Sequence, residues 1–190
     1  MAEYKKVVTP VFRVSFPNVF QPSAFEPGAT PKYGVSMLFT PAQFSDKDKA
    51  AWKAMKDLAN EVSMAAFKKL LKDLPANFKQ PFRKGEEKPD LDGYGAGVVF
   101  ANATSKLKPG VVDANKQPIL AAEDFYAGCY ARATVVAFAY DNKGKGVAFG
   151  LNNLQKVRDG ESFSGRTGAE DDFEDDLEGG STAAEDDPLA

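Results

Sequence analysis

Apolar and polar residues alternate from Lys5 to Phe16, placing Phe12, Val14 and Phe16 on one face and Arg13 and Ser15 on the other. This two-residue period predicts a half-buried strand, which Pro17-Asn18 is expected to end. A loop containing Pro and Gly then leads to a second alternating run, in which Tyr33, Val35, Met37 and Phe39 share a face. Beyond it the period changes. Trp52, Met55, Ala59, Val62, Ala66 and Leu70 recur at three- and four-residue spacing, predicting one long helix to about Leu71. Thr40-Pro41-Ala42-Gln43 has the makings of its start: a capping Thr, a Pro in the first turn and a Gln completing a capping box.

The stretch from Pro75 to Gly97 is rich in Pro, Gly and charge and is expected to be an exposed excursion. Val98 to Ser105 predicts a third strand, leading into a basic turn at Lys106 and Lys108. Phe125 to Tyr140 is the longest strand-like run. One face is mainly alanine and holds Cys129; the other carries Tyr126, Tyr130, Arg132, Thr134, Val136, Phe138 and Tyr140. Asp141 to Gly146 has hairpin-turn composition, and Val147 to about Val157 returns as the last strand. Five strands with one long helix inserted, and little parallel βαβ regularity, predict a mainly β fold: a five-stranded, OB-fold-like antiparallel barrel. A β-sandwich is the alternative. Residues 1–166 form the expected domain, followed over 167–190 by an acidic C-terminal tail expected to be disordered.

Charge sharpens this picture. The last 22 residues hold ten of the chain's 27 acids and no Lys or Arg. Residues 1–168 therefore carry all 24 basic residues against 17 acids, a net charge of +7, although the whole chain is formally −3. A cationic body attracts polyanions, and a tethered anionic segment can occupy the same surface at high effective concentration.

The absence of histidine and the single Cys129 exclude His-dependent triads, His-ligated metals and an intramolecular disulfide. Cys129 is expected to be a small buried hydrophobe. No cofactor or membrane segment is expected, and the beginning Met-Ala-Glu-Tyr-Lys-Lys lacks an apolar signal core, pointing to the cytoplasm.

Binding of single-stranded nucleic acid needs cations for phosphates and exposed rings for unpaired bases. The outward face of the long strand offers Tyr126, Tyr130, Arg132, Phe138 and Tyr140, with Lys143 and Lys145 in the adjoining hairpin. Phe82, Arg83, Lys84, Lys106 and Lys108 add a ring and cations in loops. The competing explanation makes the tyrosine face the core; against it, Arg132 would be costly to bury unpaired. In the tail, isolated hydrophobes stand among acids: Asp171, Asp172 and Phe173, then Asp186, Asp187 and Leu189. Acidic segments with apolar anchors suit a partner's basic, apolar pocket better than solubilisation alone. Asp90 with Asp92, or Asp113 with Asp124, could be proposed as Mg²⁺ ligands, but acids in turns usually serve turn chemistry. Gly93 to Gly97 lacks the Lys of a phosphate-binding loop.

Several segments resemble tailed-phage single-stranded-DNA-binding proteins of an OB-fold group long catalogued as a domain of unknown function. They are Phe16-Pro17-Asn18-Val19-Phe20, Pro109 to Asn115, Phe125 to Arg132, and Gly150 to Gly160. Gly165-Arg166 followed by Ala169 to Phe173 adds to the match. The resemblance implies an OB-fold that coats exposed DNA strands in phage replication and recombination without catalysis. The ending Glu185 to Ala190 is similar to the acidic, hydrophobic-tipped termini of bacterial single-strand binders, which implies recruitment of replication and repair proteins. Self-association on DNA is compatible with such a role. A protein-interaction adaptor and a metal-dependent nuclease or annealing protein are the alternative functions.

Overall fold

In the computed structural model, residues 5–24 and 26–163 are described. The boundary at 166 and the acidic segment, with Asp171, Asp172, Phe173, Asp186, Asp187 and Leu189, lie outside them. The strands are β1 (Val7–Val8), β2 (Phe12–Ser23), β3 (Lys32–Phe39), β4 (Phe78–Lys79), β5 (Arg83–Lys84), β6 (Val99–Ser105), β7 (Gly110–Val112), β8 (Tyr130–Asp141) and β9 (Lys145–Arg158). One α-helix, α1 (Asp46–Phe67), lies between β3 and β6, as the change of period predicts.

Five long strands carry the architecture. β2 pairs with β3, β3 with β6, β6 with β9, β9 with β8, and β8 with β2 through Phe12 and Arg13. This is the OB-type strand order. Most of these pairings are antiparallel, as expected, while β6 runs parallel to β9 at Ala103–Phe149 and Thr104–Gly150. The short strands β4 and β7 also join β9 in parallel. The long connection between β6 and β8 permits this, because parallel neighbours need a crossover instead of a tight turn.

The alanine face of β8 is the inner one. Ala131, Ala133, Val135 and Ala137 are buried with Phe12, Val14, Val35, Met37, Phe39, Phe149 and Leu154 in one core. The opposite face, from Tyr130 to Tyr140, is half-buried. Small inner residues leave volume for the rings and for Met55, Leu58 and Ala59 of α1, which joins the same core. Cys129 is fully buried, and burial pushes its thiol pKa up.

Four expected boundaries shift. Strand β2 continues past Pro17-Asn18, because Phe16 adopts φ 46° and the register slips between Ser15 and Asn18. That extra residue turns Phe16 outward, 54% exposed, while Ser15 and Val19 face in. The helix begins later than Thr40. Residues Pro41–Gln43 form a separate 3-10 turn, and Ser45 caps α1 in a capping box with Asp48. It ends earlier than Leu71, at a left-handed Lys68. The buried stripe therefore runs Met55, Leu58, Ala59, Ser63, and Ala66 and Leu70 are exposed. The expected strand from Phe125 starts only at Tyr130; a 3-10 turn at Ala122–Asp124 and a glycine turn precede it.

Candidate nucleic-acid interface

The stretch from Pro75 to Gly97 lies on the sheet instead of projecting from it. Phe82 packs edge-on against Trp52 and Phe149, with ring centroids 5.0 and 5.3 Å away, which fixes the start of this strap in the core. Arg83 and Lys84 (β5) then pair with Phe100 and Val99 of β6. The two ends of the strap meet where the Gly85 N–H donates to the Val98 carbonyl at 2.7 Å. They pass so closely that a Cβ at Gly85 would stand 2.8 Å from the Gly95 nitrogen. Tyr94 folds back over Phe100, at 5.2 Å between ring centroids, and its hydroxyl reaches the Ser15 hydroxyl at 3.2 Å. Phe100 is thereby 1% exposed although it lies outside the main core cluster.

Two grooves flank this covered ring, and both are lined by Phe100 and Asn102. The first, of about 850 Å³, crosses β3 and β6 and ends at the β8–β9 hairpin. Lys32, Tyr33, Ser36, Asn102 and Thr104 form its floor; Lys88, Leu91 and Tyr94 come from the strap, and Asn142 and Lys143 from the hairpin. Phe16, turned outward by its left-handed backbone, stands at its edge. Among the described residues, three lysines and no acid line it. Ser36 and Asn102 are joined across the floor at 2.6 Å. The second groove, of about 730 Å³, brings Lys79, Arg83, Lys84 and Tyr140 together with Glu87.

The expected site residues therefore divide. Arg83, Lys84, Tyr140 and Phe82 line the second groove and Lys143 the first. Phe82 is not the exposed loop ring expected, since Trp52 and Phe149 occupy it. Arg83 donates from Nε and Nη2 to Glu87 Oε2 at 2.9 and 2.7 Å, with its guanidinium 5.1 Å from the Phe100 centroid. Lys106 and Lys108 are exposed in the turn after β6 and line neither groove. Lys145 lies in the hairpin, 3.8 Å from Asp141. Burial pushes the Tyr140 phenol pKa up. Phe138 lies further along β8, opposite Ala148.

Tyr130, Arg132 and Tyr126 lie at the other end of that strand, away from both grooves. Tyr126 precedes β8, and its hydroxyl donates to Asp159 and the Gly160 carbonyl at 2.9 and 3.0 Å. This corrects its expected place on the strand face. Burial, first of all, raises the Tyr126 pKa. Lys156 and Asp159 pair at 2.6 Å. Burial works to lower the lysine's pKa, but the carboxylate's hydrogen bond and charge outweigh it and the net shift is upward. The hydrogen bonds from Lys156 and Tyr126 hold Asp159 below its ordinary value.

The carboxylates weighed as metal ligands include Asp113, which serves its own turn: Oδ1 accepts from the Asn115 and Gln117 N–H groups at 2.8 and 2.9 Å. Among the described residues no helix is long and apolar enough to cross a membrane.

Lys32, Tyr33, Ser36, Lys88, Tyr94, Asn102 and Thr104 were not among the sequence candidates. A signal for them existed. OB-folds present ligands to the face of their second and third strands and to the loops flanking it. Here those strands are β3 and β6, whose polar alternates include Ser36, Asn102 and Thr104.

Fold and groove together define the class: an OB-fold protein whose groove on its second and third strands carries, among the described residues, cations without acids. Over residues 5–188 the chain matches the family described as "Enterobacter phage Enc34, ssDNA-binding protein", and it belongs to that family. It is 32% identical over 155 residues to "Putative protein p50" of Acyrthosiphon pisum secondary endosymbiont phage 1, covering 80% of this chain and 83% of that protein. Among solved structures it is similar to the single-stranded DNA-binding protein from bacteriophage Enc34 in complex with ssDNA. That match has a TM-score of 0.70 and 22% identity and covers 84% of this chain and 89% of the other. It is also similar to gp2.5, the single-stranded DNA binding protein encoded by bacteriophage T7, with a TM-score of 0.57, 16% identity and coverage of 96% and 100%. At these identities the two structures establish the fold.

Proposed function

We propose that the protein binds single-stranded DNA in the β3–β6 groove and coats exposed strands during phage DNA replication and recombination in the host cytoplasm, without catalysing a reaction. The observation that carries this reading is the first groove, where the described residues supply three lysines, no acid, and the rings of Phe16, Tyr33 and Tyr94 on the ligand face of an OB-fold. Lysines neutralise phosphates; a ring accepts any base, because every base has a π-face. Membership of a family described by its ssDNA-binding protein supports the same conclusion. The domain over 1–166 holds the DNA. The acidic segment over 167–190 competes for the lysines in the free protein and, when displaced, presents Phe173 and Leu189 among acids to replication partners.

Titrating the full-length protein with fluorescent oligo-dT at several salt concentrations tests this. Log affinity should fall with log salt by about 0.7 per phosphate neutralised. A flat response would remove phosphate-driven binding, and an adaptor would give little binding at any salt. Removing residues 169–190 should tighten the complex; an unchanged complex would leave the segment no competitive role.

A further inference from the structure

The outward face of β8 does not end at the second groove. Tyr140 and Ala148 line that groove, and Phe138 stands opposite Ala148 on the same face. From Tyr140 to Tyr130 is ten residues of strand, about 33 Å at 3.3 Å per residue. Three outward rings along it lie against glycines. A Cβ at Gly146 would meet the Tyr140 hydroxyl, one at Gly150 would stand 3.8 Å from the Phe138 ring, and one at Gly160 would stand 2.8 Å from the Tyr130 ring. Lacking side chains, these glycines let the rings lie low on the sheet, which keeps the face shallow and continuous.

At the far end the face becomes cationic. Arg13 of β2 and Arg158 of β9 stand 5.7 and 4.1 Å from the Tyr130 centroid. Arg13 is committed to the protein: Nε donates to the Gly128 carbonyl at 3.0 Å and Nη2 to the Glu161 carbonyl at 2.7 Å. Arg158 is exposed and, among the described residues, has no ion pair or hydrogen bond; its stack on Tyr130 holds it in place. Beside it Arg132 donates from Nε to Gln155 Oε1 at 2.8 Å. The Gln155 amide is itself fixed by the Asp113 and Ala114 carbonyls, so its oxygen is presented to the arginine. Among the described residues the two terminal nitrogens of Arg132 have no partner. The nearby carboxylate of Asp159 is already neutralised by Lys156. Two pre-oriented guanidiniums spaced along a sheet face suit consecutive phosphates.

We infer that this face is a second segment of the single-strand path: DNA in the β3–β6 groove passes Asn102, which lines both grooves, into the second groove and from Tyr140 continues over Phe138 to phosphate contacts with Arg132 and Arg158. This extends the DNA-binding reading above and rests on it. The contacts become available only to strands longer than the grooves hold, so length dependence isolates them from the grooves.

The test compares oligo-dT of about six and about twenty nucleotides, the first near the lower end of OB-fold site sizes and the second beyond their upper end. It uses the full chain and its Arg132→Ala/Arg158→Ala variant. The variant should bind the longer strand about tenfold more weakly, with a salt slope shallower by about 1.4 for two lost phosphate contacts. Its affinity for the short strand should stay within about twofold, which also shows that the grooves are still folded. Arg132→Lys/Arg158→Lys, which keeps both charges, should recover most of the long-strand loss. Equal losses on both lengths would overturn the proposal by placing these arginines in the grooves' own site. Unchanged or tightened binding of the longer strand would overturn it as well, tightening being the result expected if an acidic peptide occupies the patch. Failure of the unaltered protein to bind either length would instead defeat the groove reading itself.

Discussion

Arg83 and Lys88 stand 5.1 and 5.9 Å from the Phe100 ring on the outer side of β6, while Arg13 and Arg158 stand 5.7 and 4.1 Å from the Tyr130 ring at the far end of β8. Composition barely distinguishes these clusters, but their surroundings do. Phe100 is sealed beneath the strap and Tyr94, and Arg83 is held by Glu87 four residues along. Tyr130 is half-exposed, and the guanidinium above it has no acidic partner among the described residues. The first cluster is a latch that holds the strap over the sheet and thereby shapes both grooves. In the second, the ring alone holds Arg158 among the described residues. A cation beside a ring takes its role from its third contact: Glu87 fixes Arg83, and the Gly128 and Glu161 carbonyls fix Arg13, whereas Arg158 has neither an acid nor a carbonyl among the described residues.

The largest expected contrast is in stability. Truncation of a fully buried Phe removes its packing and leaves a cavity, so Phe100→Ala should cost about 3–5 kcal/mol in urea denaturation. Tyr130→Ala, at a half-exposed position, should cost about 1 kcal/mol or less. Similar losses would erase the distinction between latch and surface. A smaller effect is expected in the first groove. Tyr33→Ala should weaken oligo-dT binding by about 1–3 kcal/mol, the contribution of one stacked base, with little change in the denaturation midpoint. Binding that survives unaltered would remove Tyr33 from the stacking set.

Glu87→Ala sharpens the comparison from the other side, by making the latch resemble the far cluster. Freed from its carboxylate, Arg83 should increase DNA affinity about two- to threefold in a gel shift. Stability should fall by at most about 1 kcal/mol, since both partners of the ion pair are nearly half-exposed. The smallest effect concerns the Asp159–Lys156 pair beside Tyr126. Because Asp159 titrates below its ordinary 3.8 in the folded protein, its stabilisation is present above that value and is lost as pH falls through the lowered one. Asp159→Asn should therefore cost a few tenths of a kcal/mol to about 1 kcal/mol at neutral pH. Denaturation midpoints of the two proteins should converge below about pH 3.8. A gap that stays constant to low pH would mean that the carboxylate's charge contributes nothing.

How much of this was legible in the sequence depended on how local its cause is. The core face of β8 could be read from alternation together with the cost of burying Arg132 on the opposite face, and Ala131, Ala133, Val135 and Ala137 are indeed buried. Lys143 and Gly144 turn the hairpin with positive φ, as Asn- and Gly-rich composition predicts. The helix was legible as a period but not at its ends, because Ser45 with Asp48 outcompeted Thr40 as a cap and Lys68 adopted a left-handed conformation without a glycine to announce it. The turn of Phe16 out of the core was hidden for the same reason: one left-handed residue reverses every later side chain of a strand.

The site was harder to read. Rings and cations were visible as residue types, yet Phe82 went to the core, Tyr126 to a carboxylate, and Arg83 to Glu87, while Lys32, Lys88 and Lys143 converged from segments more than fifty residues apart. The sequence by itself determined the strand and helix periods, the alanine core face, and the division between a cationic body and an anionic end, because each follows from side chains acting on their near neighbours or from summed charge. Tertiary structure alone decided which cations are free, which rings are covered and where the grooves run. Those properties belong to pairs of distant residues, and only the packed sheet with its strap sets the distances between them.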